Sequence, residues 1–206
     1  MVIFLTLVPS TVALAGFGVG GNLFLSMPQE DFANVSENGG GLGAKFLFSP
    51  PLMPVFAVRA DLAFVVYSSE TSQEEVAGFA VDVETRNQSI QFTIGPQFQS
   101  PVGPLRLYGA PMVGVYNYST EVEIPDTEYG RTENSTTKFG WNVNGGMLIG
   151  VYQSPMGKFN LDIDMNVKYH TIKKAIETEI RTETGDEVLK TDANDISMHI
   201  GVLFHF

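Results

Sequence analysis

Three histidines, His170, His199 and His205, are the only imidazoles in a chain of 206 residues that contains no cysteine. Without cysteine there can be no disulfide, thiolate metal site or Cys nucleophile. Any acid–base or nucleophilic chemistry would fall to these rings, to hydroxyls and to carboxylates. His170, Ser197 and Asp195 are conceivable as base, nucleophile and orienting acid, the set that a lipid-modifying enzyme needs. The nucleophile and the base come from separate regions without any local signature, which weighs against catalysis. His199 and His205 are expected to face inward and hydrogen-bond there. Asp162 and Asp164, two apart on one strand face, suggest acid–base work or a metal. Beside Lys45, Arg59, Arg106 and Lys168 they are read instead, with Asp61, as a self-paired polar network, because an enclosed carboxylate is costly unless paired. No catalytic residue, metal or cofactor is assigned.

The elements that must position these groups are strands. Between turn-rich stretches every segment alternates with period 2, the mark of a strand whose two faces meet different surroundings. Segment 159–170 is the cleanest, with Phe159, Leu161, Ile163, Met165, Val167 and Tyr169 on one face and Asn160, Asp162, Asp164, Asn166, Lys168 and His170 on the other. The same separation runs through 55–67, 89–98, 139–152 and the last segment from Ile196 to Phe206. It continues with more noise through 17–26, 39–48 and 105–118. Pro111 falls inside one strand, removes a ladder donor and is expected to need a bulge. An antiparallel sandwich would show the same period. Two features favour an all-β, eight-stranded antiparallel up-and-down transmembrane β-barrel. The apolar faces carry no charge from end to end, where one Arg or Lys at the bilayer midplane costs about 2–4 kcal/mol. The polar faces hold small, carboxamide and charge-balanced residues, as a narrow interior requires. Arg106, Tyr108, Met112 and Tyr116 are expected to help occlude that interior.

Ser49-Pro50, Ser100-Pro101 and Ser154-Pro155 each open a short cluster rich in Pro and Gly, and such clusters make tight turns. Four long polar stretches, roughly 27–38, 69–87, 119–137 and 173–195, connect the strands at their other ends, giving the short–long alternation of an up-and-down barrel. These stretches hold 20 of the 23 acidic residues against seven basic ones, counting Lys138 at a border, a net −13 in a chain of net charge −11. Such a balance repels a phosphate backbone and excludes nucleic acid as a partner. The rim is read as solvated acidic surface, since no loop spells out a hard-cation motif. Val81 to Glu84 and Ile176 to Ile180 still alternate, so some hairpins are expected to continue beyond the bilayer.

Residues 1–15 are uncharged, mostly apolar and end in Ala13-Leu14-Ala15. They are read as a signal peptide, one whose basic leading segment is missing, as from a truncated start. No later stretch has the ~18 consecutive apolar residues of a spanning helix. The chain ends in His199-Ile200-Gly201-Val202-Leu203-Phe204-His205-Phe206, an octet that resembles the terminal assembly signal of bacterial outer-membrane barrels. With the export segment, the eight strands and the turn asymmetry, residues 16–206 resemble the small outer-membrane β-barrel family of OmpA/OmpX type. The resemblance implies a bacterial outer-membrane location, with lipid and lipopolysaccharide as surroundings. It implies insertion by the barrel-assembly machinery, with His199, Gly201, Phe204 and Phe206 as the signal, short turns in the periplasm and long loops outside. A monomer is expected, with no peptidoglycan-binding domain after Phe206. In a bacterial protein the glycosylation sequons at Asn87, Asn117 and Asn134 carry no meaning. The expected role is a non-enzymatic barrel, structural or interaction-bearing. A narrow small-solute or hydrophobic-ligand channel is the alternative, and a lipid-modifying enzyme comes third.

Overall fold

The computed structural model describes residues 16–34, 36–50, 53–67, 70–76, 79–101, 103–123, 131–154, 159–182 and 185–206. Of these, 31, 34, 70–76, 79–86, 122–123, 131–133, 174–182 and 185–191 are described by backbone alone. The expected signal peptide and residues 155–158 of the third turn cluster lie outside the described residues.

The strands in chain order are β1 (Gly16–Gln29), β2 (Gly39–Ser49), β3 (Phe56–Tyr67), β4 (Glu70–Val76), β5 (Phe79–Gln99), β6 (Leu105–Glu123), β7 (Arg131–Gln153), β8 (Asn160–Thr182) and β9 (Gly185–His205). One 3-10 turn, η1 (Glu30–Asn34), follows β1. Neighbours pair antiparallel in the order β3-β2-β1-β9-β8-β7-β6-β5-β4, and β3 also pairs with β5. That last pairing closes a ring of eight staves, since β4 pairs only with the outer part of β5 and prolongs the stave of β3. The first and last strands meet where Phe17 and Phe206 exchange both backbone hydrogen bonds, at 3.2 and 2.8 Å. A closed ring leaves no unpaired sheet edge, which a bilayer core requires.

Alternation resolves as expected for a barrel and opposite to a sandwich. Phe17, Leu23, Leu42, Phe46, Leu62, Phe92, Leu107, Phe139, Val167 and Ile200 all point outward, while Lys45, Arg59, Asp61, Asp162, Asp164 and Lys168 are buried. Outward aromatic pairs mark both rims of the apolar band. Phe17–Phe48, Phe56–Phe98 and Phe159–Phe206 lie at the short-turn end, and Trp141–Tyr169 lies toward the long-loop end, as girdles at the two membrane interfaces do. The short turns are tight: Phe56 N–H donates to Met53 at 3.0 Å, Ser154 N–H to Phe159 at 2.8 Å, and Gly103 adopts φ 108°, which only glycine accepts readily.

Inside, glycine makes room for rings. A Cβ on Gly146 would come within 2.8 Å of the Tyr108 ring, and one on Gly140 within 2.9 Å of the Tyr116 ring. Three of the four long connections extend the strands: β4 with β5, β6 with β7 and β8 with β9 continue as hairpins, the last to Thr182↔Gly185. At 23 residues β8 far exceeds the ~9–11 needed to span.

Pro111 does not produce the expected bulge. Its strand pairs with β7 without a break, Pro111 opposite Val143. Register with β5 is the same on both sides of Pro111, from Ile94↔Val113 to Phe98↔Gly109, but the ladder is interrupted between them. That register sets Pro111 opposite Pro96. A hydrogen-bonded antiparallel pair exchanges two N–H donors, and here neither residue has one. Paired prolines therefore cost the seam its bonds without shifting its register. Register shifts occur instead between Gly150 and Tyr152 on β7 and between Ile172 and Ile176 on β8.

Candidate functional site

The inward faces build three polar layers. Nearest the short turns, Asp162 pairs with Arg106, and His205 Nε2 lies 2.7 Å from its Oδ2. In the middle layer Lys45 pairs with Asp164, whose Oδ1 also accepts from the Tyr108 hydroxyl at 2.7 Å and from Asn166 Nδ2 at 3.2 Å. Beside them Asp61 accepts from Arg59 Nε at 2.9 Å and from Lys168 Nζ at 2.6 Å. Arg59 also donates to Gln97 at 3.2 Å and lies over the Tyr108 ring at 5.3 Å. All seven charged residues expected to pair in the interior are thus brought together, in one middle network and one lower group. The middle network sets three cations against two carboxylates, one positive charge in excess.

Nearer the loops a chain of neutral hydrogen bonds crosses the interior. Asn142 Nδ2 donates to the Tyr116 hydroxyl at 3.1 Å, and that hydroxyl lies 3.2 Å from His170 Nδ1. His170 Nε2 lies 3.2 Å from Ser197 Oγ, which lies 2.8 Å from His199 Nε2, and His199 Nδ1 lies 3.1 Å from Asn22 Oδ1. The donor inventory fixes one direction when both rings are neutral. Asn22 Oδ1 can only accept, so His199 donates from Nδ1 and accepts from the Ser197 hydroxyl. Ser197 in turn accepts from His170 Nε2–H, and Tyr116 donates to His170 Nδ1.

His170 and Ser197 are therefore adjacent, as an enzymatic reading requires, but Asp195 does not orient the ring. Its Oδ2 accepts from Ser26 Oγ at 2.5 Å, while the second nitrogen of His170 belongs to Tyr116. Asp195 also departs from the solvated rim expected of residues 173–195. It is 1% exposed, because it lies in phase with Ser197 and His199 on β9 and the strand continues past it. The periodicity carried that signal, masked by the acidic composition around it. Tyr108, Tyr116, Asn142, Asn22 and Ser26 join the site without having been singled out as partners, since pairing across strands far apart in sequence depends on the barrel's register.

Above this chain η1 folds across the outer mouth. Phe32 is buried, edge-on to Tyr67 at 5.5 Å between ring centres and to Tyr118 at 6.0 Å. Asn194 Nδ2 donates to Glu30 Oε2 at 2.6 Å, and Glu30 takes a positive φ of 52°.

Of the residues in the terminal octet, Phe204 and Phe206 point outward, Phe206 closing the ring with Phe17. Gly201 and His199 point inward, Gly201 against Asn22. Among the described residues no group of three or more His, Asp or Glu converges as a metal site.

The model of the outer membrane protein beta-barrel domain matches residues 2–206. No curated protein matches the chain. Among solved structures, Ail of Yersinia pestis, in complex with the heparin analogue sucrose octasulfate, is 16% identical. It covers 93% of this chain and 99% of its own, with a TM-score of 0.56. OprG of Pseudomonas aeruginosa is 12% identical over 93% of this chain and 96% of its own, also at 0.56. A major outer membrane protein of Thermus thermophilus is 12% identical over 94% and 100%, at 0.51. At these identities the likeness is one of fold. With its closed ring, outward apolar band and paired interior, this chain belongs to the outer membrane protein beta-barrel family, integral to the bacterial outer membrane.

Proposed function

We propose that the chain is a non-enzymatic, monomeric surface barrel whose interior braces the wall and whose acidic loops meet partners outside the cell. The observation that carries this reading is the filled interior. Paired charges, buried rings and the Asn142-to-Asn22 chain occupy successive layers from the short turns to the mouth. Each charged residue of the two lower layers pairs with an oppositely charged side chain, and eight strands leave little width beyond their own side chains. Refolded protein in planar bilayers is expected to give no steady unitary currents; steady currents abolished by blocking the lumen would establish the channel reading instead.

The same packing argues against lipid chemistry, because Ser197 and His170 are buried within the hydrogen-bond chain. Overexpression is expected to leave lipid A unchanged, and a modification that disappears in His170→Ala would overturn the non-enzymatic reading. Lipopolysaccharide and phospholipid surround the outward Phe, Leu and Ile rows, and the barrel-assembly machinery reads the terminal octet through Phe206. Ail carries a sulfated ligand, but the long connections, with the buried Asp195 left out, still carry net −12, a rim that repels polyanions, so basic surfaces fit these loops better. Immobilised heparin is expected not to retain this protein at low salt.

A further inference from the structure

The outer mouth holds a buried carboxylate that no described cation neutralises. Asp195 Oδ2 takes one hydrogen bond, from Ser26, and Oδ1 has no partner among the described residues. His170, directly opposite it in the register, commits both ring nitrogens to Tyr116 and Ser197. Lys168, the next cation along β8, donates to Asp61. A desolvated carboxylate is costly unless an opposite charge meets it.

What surrounds it is aromatic. Its partner Ser26 shares a row of the ladder with Gly39 and Tyr67, and Tyr67 and Tyr118 are both buried. Phe24 belongs to the same cluster, and Phe32 lies edge-on between the two tyrosines. A carboxylate among aromatic faces is the chemistry that recognises an ammonium group.

We propose that this mouth is a binding site for a small organic ammonium ion, with Asp195 as its counter-charge and Tyr67 and Tyr118 as its aromatic walls. Phe32 fills the cage in the closed form. It is carried on a turn of five residues that rests on β1 and β9 and is tied down through Glu30 to Asn194. The positive φ at Glu30 is a strained conformation for a non-glycine residue, so the turn holds backbone strain that outward movement of Phe32 can release. The acidic rim concentrates cations at the entrance. The site is independent of whether the lumen conducts, because it lies above the middle network.

The test uses the refolded full chain in detergent micelles, with tetramethylammonium as the probe and tert-butanol as a neutral control of similar size. Saturation transfer from the aromatic protons to the probe's methyl groups reports occupancy. Saturable transfer is expected for tetramethylammonium and not for tert-butanol. Asp195→Asn is expected to weaken binding by about tenfold or more, and Phe32→Ala to strengthen it by emptying the cage. Ser26→Ala, which keeps the carboxylate, is expected to bind at least as well as the parent. Heat-modifiable migration on a detergent gel verifies that each variant is folded. Equal binding by folded Asp195→Asn and parent, equal transfer to tert-butanol, or no saturable transfer in either parent or Phe32→Ala would overturn the proposal.

Discussion

At the scale of single residues, the excess of one positive charge in the middle network makes its carboxylates and its cations unequal. Removing the charge of Asp164 leaves Lys45 without a counter-charge and raises the excess to two. Removing Lys45 brings the network to balance. Asp164→Asn is therefore expected to destabilise the barrel by about 3–5 kcal/mol, the usual cost of orphaning a buried charge, and Lys45→Met by clearly less. Urea titrations in lipid vesicles, read by the shift of folded and unfolded gel bands, measure both, and equal losses would contradict the charge count. Ser197→Ala breaks the hydrogen-bond chain at its centre and strands two imidazole nitrogens, at about 1–3 kcal/mol, measured the same way. The types of these residues were legible in sequence, and so was their sidedness. Their partners were not, because Lys45 and Asp164 lie on strands that do not pair with each other and meet only across the enclosed interior.

At the scale of the element, each strand answers to two solvents. Ile200 sits on β9 opposite Leu23, both pointing outward between the aromatic girdles. Ile200→Arg is expected to cost about 2–4 kcal/mol near the midplane by vesicle unfolding. The β5–β6 seam is a second test. Pro96→Val with Pro111→Val restores two donors to a register already in place and is expected to stabilise by about 0.5–1.5 kcal/mol per bond. Slowed exchange of the two new amides would accompany it. If the double variant is less stable than the parent, the seam does not have the geometry that its register implies. The proline was visible in the sequence as a missing donor. That its missing bond faces a second proline, so that the strand needs no bulge, followed only from the pairing of β5 with β6.

At the scale of the whole molecule, closure turns eight half-apolar strands into one object with a greasy exterior and an enclosed polar interior. Native protein is expected to run faster than boiled protein on a detergent gel and to partition with membranes. The sequence by itself determined strand number, the face each side chain takes and the short–long order of the connections, because the period of two and the chemistry of Pro and Gly are local properties. The tertiary structure alone decided which charges meet, that Asp195 leaves the rim for the interior, that Phe32 crosses the mouth and that Pro96 answers Pro111. Those contacts depend on the stagger of strands around a closed ring, a quantity summed over the whole circuit that no single segment carries.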